Sequence, residues 1–141
     1  MISDAKNVVI WGDSVARGVI YDENRGRYAL SPTTAVKMVS EKLGIRVTNR
    51  ARMGYTVNDG IRMIEHDLTG GIDADTAIIA FGGNDCDFDW KQISESPEAL
   101  HLPHTPAEEY EERLSGIVET VQEAGIRPIL VTLPPIIAER Y

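Results

Sequence analysis

The sequence is poor in several things that would point to other classes of protein. A single cysteine, Cys86, stands among 141 residues. No disulfide can form within the chain, and a reducing, cytoplasmic setting is expected. Basic charge is also short: 14 Lys plus Arg face 22 Asp plus Glu, a formal charge of -8. A nucleic-acid binder needs a cationic footprint to displace counterions, and an anionic membrane surface selects for the same excess. Neither partner is expected. No apolar run approaches the length of a membrane span. The opening MISDAKNVVIW lacks the charged start and long apolar middle of a signal peptide. Internal repeats, low-complexity tracts and interdomain linkers are missing too. What remains is a chain with 43% hydrophobic residues, the size of one domain, 1–141, with a core of its own.

Two kinds of apolar pattern alternate along it. Val8-Val9-Ile10-Trp11, Ala77-Ile78-Ile79-Ala80-Phe81 and Ile129-Leu130-Val131-Thr132-Leu133 are continuous runs, suited to strands covered on both faces. Ile45-Arg46-Val47-Thr48-Asn49 alternates instead and reads as a strand with one face or edge near water. Helical patterns lie between. Ser31-Pro32 is expected to open the first, with Val36, Val39 and Leu43 on one face and Gly44 just past its end. Thr56 is expected to cap the second, with Val57, Ile61, Ile64 and Leu68 spaced for burial. Thr105-Pro106-Ala107-Glu108 has the pattern of a capping box, and behind it Tyr110, Leu114, Ile117 and Val121 form a stripe that Gly125 ends. Strand–helix repetition of this kind means βαβ units. The expected fold is therefore α/β, a parallel sheet with helices on its faces. Residues 15–30 and 85–104 exceed what such units need, and the second stretch has the length of a loop that covers a site.

Ligands of open parallel sheets bind beyond the carboxyl ends of the strands. Gly12-Asp13-Ser14 follows the first strand, Arg52-Met53-Gly54-Tyr55 the second and Gly82-Gly83-Asn84-Asp85 the third. Small, flexible or polar residues occupy all three positions. In order, VIWGDSVARG, the glycine of NRARMGYT, and FGGND resemble the SGNH, or GDSL, family of serine esterases and lipases. GDS alone is a weak tripeptide, and a lone glycine is weaker. GGND directly after an apolar strand, at the expected distance from GDS, is more specific.

The resemblance implies a three-layer α/β/α sandwich with a flavodoxin-like parallel sheet, strand order 2-1-3-4 and a fifth strand lying beyond this sequence. It also implies roles. Ser14 would be the nucleophile that forms an acyl-enzyme. The oxyanion would be held by the backbone N–H of Ser14, the backbone N–H of Gly54 and the side-chain amide of Asn84. Glycine at 54 would keep a side chain from crowding the substrate. Asp13 is expected to shape the nucleophile turn rather than to react. The substrate would be a small acyl ester, from a lipid, an acetylated sugar or a metabolite. No cofactor or metal is implied.

One part of that machinery has no match. A serine hydroxyl needs a general base, usually a histidine oriented by a carboxylate. The family supplies the pair from a late Asp-x-x-His block, and this sequence has none before its last residue, Tyr141. Of the three histidines, His66 is expected on the solvent side of the second helix. His101 and His104 lie in the long loop on the same end of the sheet as Ser14. His104 directly precedes the Thr105 cap and reads as a helix-entry residue. The expectation is a chain cut short of its base, with poor turnover of esters. The cut should leave the fourth strand as a bare edge that favours self-association.

Competing readings are few. Asp85, Asp87 and Asp89 alternate like a calcium loop, but Trp90 and Ser96 stand where glycine and a bidentate Glu are required. The acidic run is expected to solvate its loop. Cys86 has no partner for a zinc site. Phe88 and Trp90 are candidates either to line a pocket or to anchor the loop. The alternative function is a flavodoxin-like, non-enzymatic module binding a phosphate-bearing ligand, with Gly12–Gly18 presenting backbone donors at a helix start. It lacks both a GK[ST] and a GxGxxG fingerprint.

Overall fold

A computed structural model describes residues 4–133. Four parallel strands form the main sheet: β1 (Asn7–Gly12), β4 (Arg46–Asn49), β5 (Thr76–Ala80) and β6 (Arg127–Leu130), in the order β4-β1-β5-β6. Counted over the parallel strands alone, this is the expected 2-1-3-4. Each neighbouring pair is parallel, with Val8 opposite both Val47 and Thr76, and Ile78 opposite Ile129. The alternating strand, β4, lies at an edge of this sheet. There its polar residues reach water.

Alternation along β1 and β5 sends side chains to two separate cores. Val9, Trp11, Ala77 and Ile79 point to one face, where α3 (Val57–Thr69) and α5 (Ala107–Glu123) bury Val57, Ile64, Ile117 and Val121 against them. Val8 and Ile10 point to the other, against Val36 of α2 (Ala35–Leu43). The two faces are unequally covered. α2 buries none of its own residues, and Val39 and Leu43 are 46% and 54% exposed. Beside it an apolar cavity of about 350 Å³ opens over Ile10, Ile78, Val36, Val39, Ile129 and Val131.

The helix boundaries follow their caps. Thr56 and Asp59 form a complete capping box at the start of α3. α2 begins later than Ser31-Pro32, at the Thr34 cap, whose hydroxyl accepts from Lys37 N. Ser31 instead closes a local turn with Thr33. Gly44 ends α2 in the left-handed conformation, as expected. The capping box at Thr105 does not form. Its hydroxyl donates to the buried Asp85 at 2.7 Å, and α5 starts without a side-chain cap. A buried carboxylate competes better for that hydroxyl than a helix end that water can reach.

Two stretches carry added elements. Residues 14–30 hold a one-turn helix, α1 (Ser14–Arg17), and an antiparallel hairpin, β2 (Val19–Asp22) with β3 (Arg27–Leu30). Ser31 N bonds Gly18 O at 2.9 Å and closes the hairpin's base. Residues 85–104 carry a short helix, α4 (Trp90–Glu95). β4 and β6 are the two edge strands of the described main sheet, and no described helix is long and apolar enough to cross a membrane.

Candidate active site

The three polar runs converge because the strands that carry them are neighbours and their ends are tied together. Asp13 N bonds Ala80 O at 3.2 Å, joining the end of β1 to that of β5. Arg52 N bonds Gly12 O at 2.9 Å, so the segment after β4 keeps alongside β1 beyond the sheet. Gly12 permits this closeness: a Cβ there would stand 2.6 Å from Ala80 O.

The first turn after β1 belongs to Ser14. Asp13 is the N-cap of α1 and accepts from Val15 N at 2.9 Å, which turns the chain sharply and leaves Ser14 half-buried at its start. Asp13 thus shapes the turn. Burial pushes its carboxyl above the ordinary range, and the nearby Asp85 charge adds to this. The backbone amides of Val15, Ala16 and Gly83 pull the other way, toward the ionised form.

Two further side chains hold this turn against the segment after β4. Arg17 Nη1 bonds Ala51 O at 2.8 Å, and Asn49 Nδ2 bonds Ala16 O at 2.9 Å while Asn49 Oδ1 accepts from Ala51 N. Sequence reasoning missed both. Asn49 is the last residue of a strand, and only its side-chain amide gave a hint.

Gly54 follows, exposed, with φ +79°. Among the described residues, no atom beyond its chain neighbours lies within 4 Å of where its Cβ would be. The backbone conformation is therefore what demands glycine, since L residues avoid this region. Asn84 is tied to the residue after Gly54: its Nδ2 donates to Tyr55 O at 2.8 Å. One amide hydrogen is spent there, leaving the second for a ligand.

Asp85 overturns the expectation of an acidic run that solvates its loop. It is 2% exposed and accepts from Val57 N and Thr105 Oγ1. Asp87 and Asp89 are exposed as expected, serving Trp90 Nε1 and the cap of α4. Phe88 lines a small apolar cavity of about 230 Å³ with Tyr110 and Leu133, whereas Trp90 is 64% exposed.

Among the described residues no histidine ring touches the Ser14 hydroxyl. His66 is exposed on α3. His101 Nε2 contacts Ser96 O at 2.8 Å. His104 comes nearest to the site, its Nδ1 3.0 Å from the backbone carbonyl of Asn84. No described group of three or more His, Cys, Asp or Glu residues is gathered so that it could hold a metal ion.

The model of the GDSL-like lipase/acylhydrolase family matches residues 10–141. The chain belongs to that family. No curated protein matches this GDSL-like chain, but solved structures do. A lipase/acylhydrolase from Enterococcus faecalis is similar with a TM-score of 0.70 at 21% identity, over 96% of this chain and 60% of that one. The psychrotrophic esterase EstA from Pseudoalteromonas sp., inhibited by monoethylphosphonate, gives 0.63 at 19%, over 92% and 62%. AlinE4, an SGNH-hydrolase family esterase, gives 0.63 at 24%, over 94% and 62%. At such identities the likeness is one of fold. This GDSL-like chain spans only about three fifths of the length of these structures.

Proposed function

We propose that the protein hydrolyses carboxylic esters through an acyl-serine intermediate, with Ser14 as nucleophile. Ser14 Oγ adds to the ester carbonyl while its proton passes to solvent water and later returns from water to the leaving alkoxide, and the carbonyl oxygen takes up the electron pair as an oxyanion. The backbone N–H groups of Ser14 and Gly54 and the free N–H of Asn84 stabilise it. Collapse expels the alcohol, and water then releases the acid. The observation that supports this reading is the binding together of the three runs at the ends of β4, β1 and β5. The space in front of the Gly54 Cα is open among the described residues, and Asn84 keeps one N–H beyond its bond to Tyr55 O.

The reading separates two halves of the chemistry. Nucleophile and oxyanion donors lie within residues 14–84, but His66, His101 and His104 do not supply the base. Residues 4–133 alone are therefore a slow catalyst. The partner is a small-molecule acyl ester, without nucleic acid or membrane. An exposed, unpaired Cys86 suits a reducing cytoplasm.

The phosphate-binding alternative loses its footing. Its helix start is a single turn, and the Asp13 carboxylate already occupies the Val15 N–H. An anion there would meet a negative charge.

Turnover of a p-nitrophenyl acyl ester tests the proposal. The expected rate is far below the roughly 10 s⁻¹ of a median enzyme, and Ser14→Ala abolishes it. A rate unchanged in Ser14→Ala rejects the nucleophile. Turnover near the median, lost in Ser14→Ala, rejects the missing base.

A further inference from the structure

We propose that Asp85 is the positioning residue of the donor pair: its buried carboxylate ties the first turn of α3 to the loop after β5 and so fixes the Asn84 amide opposite the Gly54 N–H. The inference rests on the reading of those two groups as oxyanion donors.

Asp85 follows Asn84 directly, and Val57 lies three residues beyond Gly54. Val57 N donates to Asp85 Oδ1 at 3.0 Å and to Oδ2 at 3.1 Å. One position back on the loop after β5 and two back on the segment before α3, Asn84 Nδ2 donates to Tyr55 O at 2.8 Å. The two segments are thus joined by two bonds running in opposite senses, one from each side. Without the Asp85 bond the Asn84 amide would be the one described hydrogen bond left between the segments. It would then have to serve as a brace and as a donor to a developing charge.

The far side of the carboxylate is fixed as well. Thr105 Oγ1 donates to Oδ1 at 2.7 Å, and Thr105 N bonds the Asp85 carbonyl at 2.9 Å. The long loop of residues 85–104 is thereby closed at its end onto the residue beside Asn84. The positive end of α3 meets the negative carboxylate. For stability alone a packed apolar side chain would serve as well as a buried charge. An acceptor that receives donors from two elements at once fixes their relative position, which an apolar residue does not.

The test compares the full chain with Asp85→Ala, Asp85→Asn and Thr105→Val. The readouts are the rate at which an alkyl p-nitrophenyl phosphonate labels Ser14 and the NMR signals of the Gly54 amide and Asn84 side chain. Asp85→Ala is expected to slow labelling roughly 10–100-fold, as a displaced donor would, and to move both signals. Asp85→Asn keeps an acceptor for Val57 N and should recover most of the rate. Thr105→Val should fall between. Asp85→Ala at the wild-type rate with unmoved signals overturns the proposal. Should Asp85→Ala not fold, Thr105→Val decides by the same criteria. If wild type and Ser14→Ala label alike, the nucleophile reading fails instead. The Gly54 and Asn84 signals then judge the positioning role: shifted they sustain it, unmoved they overturn it.

Discussion

Ser14, Gly54 and Asn84 place different demands on the chain around them. Gly54 needs a backbone that other residues resist. Gly54→Ala should lower stability by about 1–2 kcal/mol, read as a lower denaturant midpoint with an unchanged slope, because open space removes any steric cost. A loss below a few tenths would mean that the turn relaxes to negative φ. Asp13 gives a pH signature. Burial raises its folded-state pKa above the unfolded value of 3.8. Its contribution to stability is then fully present below that value and is lost as pH rises through the raised one. Asp13→Asn, which keeps an oxygen for Val15 N, should flatten this decline in urea unfolding measured across the mildly acidic range. An unaltered slope would contradict the assignment.

At the scale of elements, one buried cluster holds β1, α3 and the segment after β4 in register. Trp11 Nε1 donates to Asp67 Oδ2 at 2.9 Å, and Arg50 reaches both Asp67 oxygens at 2.8 and 2.6 Å. Burial pushes the Asp67 carboxyl up, but Arg50 and Trp11 together outweigh it and hold it low. Asp67→Ala leaves the buried indole N–H without an acceptor, while water can serve the half-exposed Arg50. The expected loss is about 1–3 kcal/mol, measurable by urea unfolding, and a neutral result would show that the cluster does not brace the site. The helices were legible where local signals agreed: Thr56, Asp59 and a stripe at helical spacing define α3 within the sequence itself. The hairpin was not, although Val19-Ile20-Tyr21 and Tyr28-Ala29-Leu30 flank a turn ending at Gly26. Exposed on both faces, these residues lack the one-sided alternation that marks a half-buried strand. Asp67 and Asp85 were illegible for another reason: their partners lie up to 56 and 28 residues away. No local pattern distinguishes a buried carboxylate from a solvated one. The Thr105 cap failed for the same cause, since its hydroxyl is claimed from afar.

At the scale of the molecule, the described residues cover the two faces of the sheet unevenly. One face carries two long helices, whereas the other leaves an apolar cavity beside α2 and the edge strand β6 ends in a half-exposed Leu130. Unpaired edges and bare apolar surface favour pairing with another chain. Sedimentation of this chain should therefore show a mass that rises with concentration, and Leu130→Lys should reduce it. A monomer at all concentrations would remove the proposed self-association. The fold and the order of its parallel strands could be read from pattern and resemblance together. The convergence of Gly12–Ser14, Gly54 and Asn84 followed from that order, because β4, β1 and β5 are neighbours.

The proposed chemistry stands on Ser14 as the nucleophile. Intact mass and peptide mapping after exposure to an alkyl p-nitrophenyl phosphonate test it most directly. One covalent adduct is expected, on the peptide holding Ser14, and none on Ser14→Ala. No adduct, or an equal one on Ser14→Ala, would contradict it.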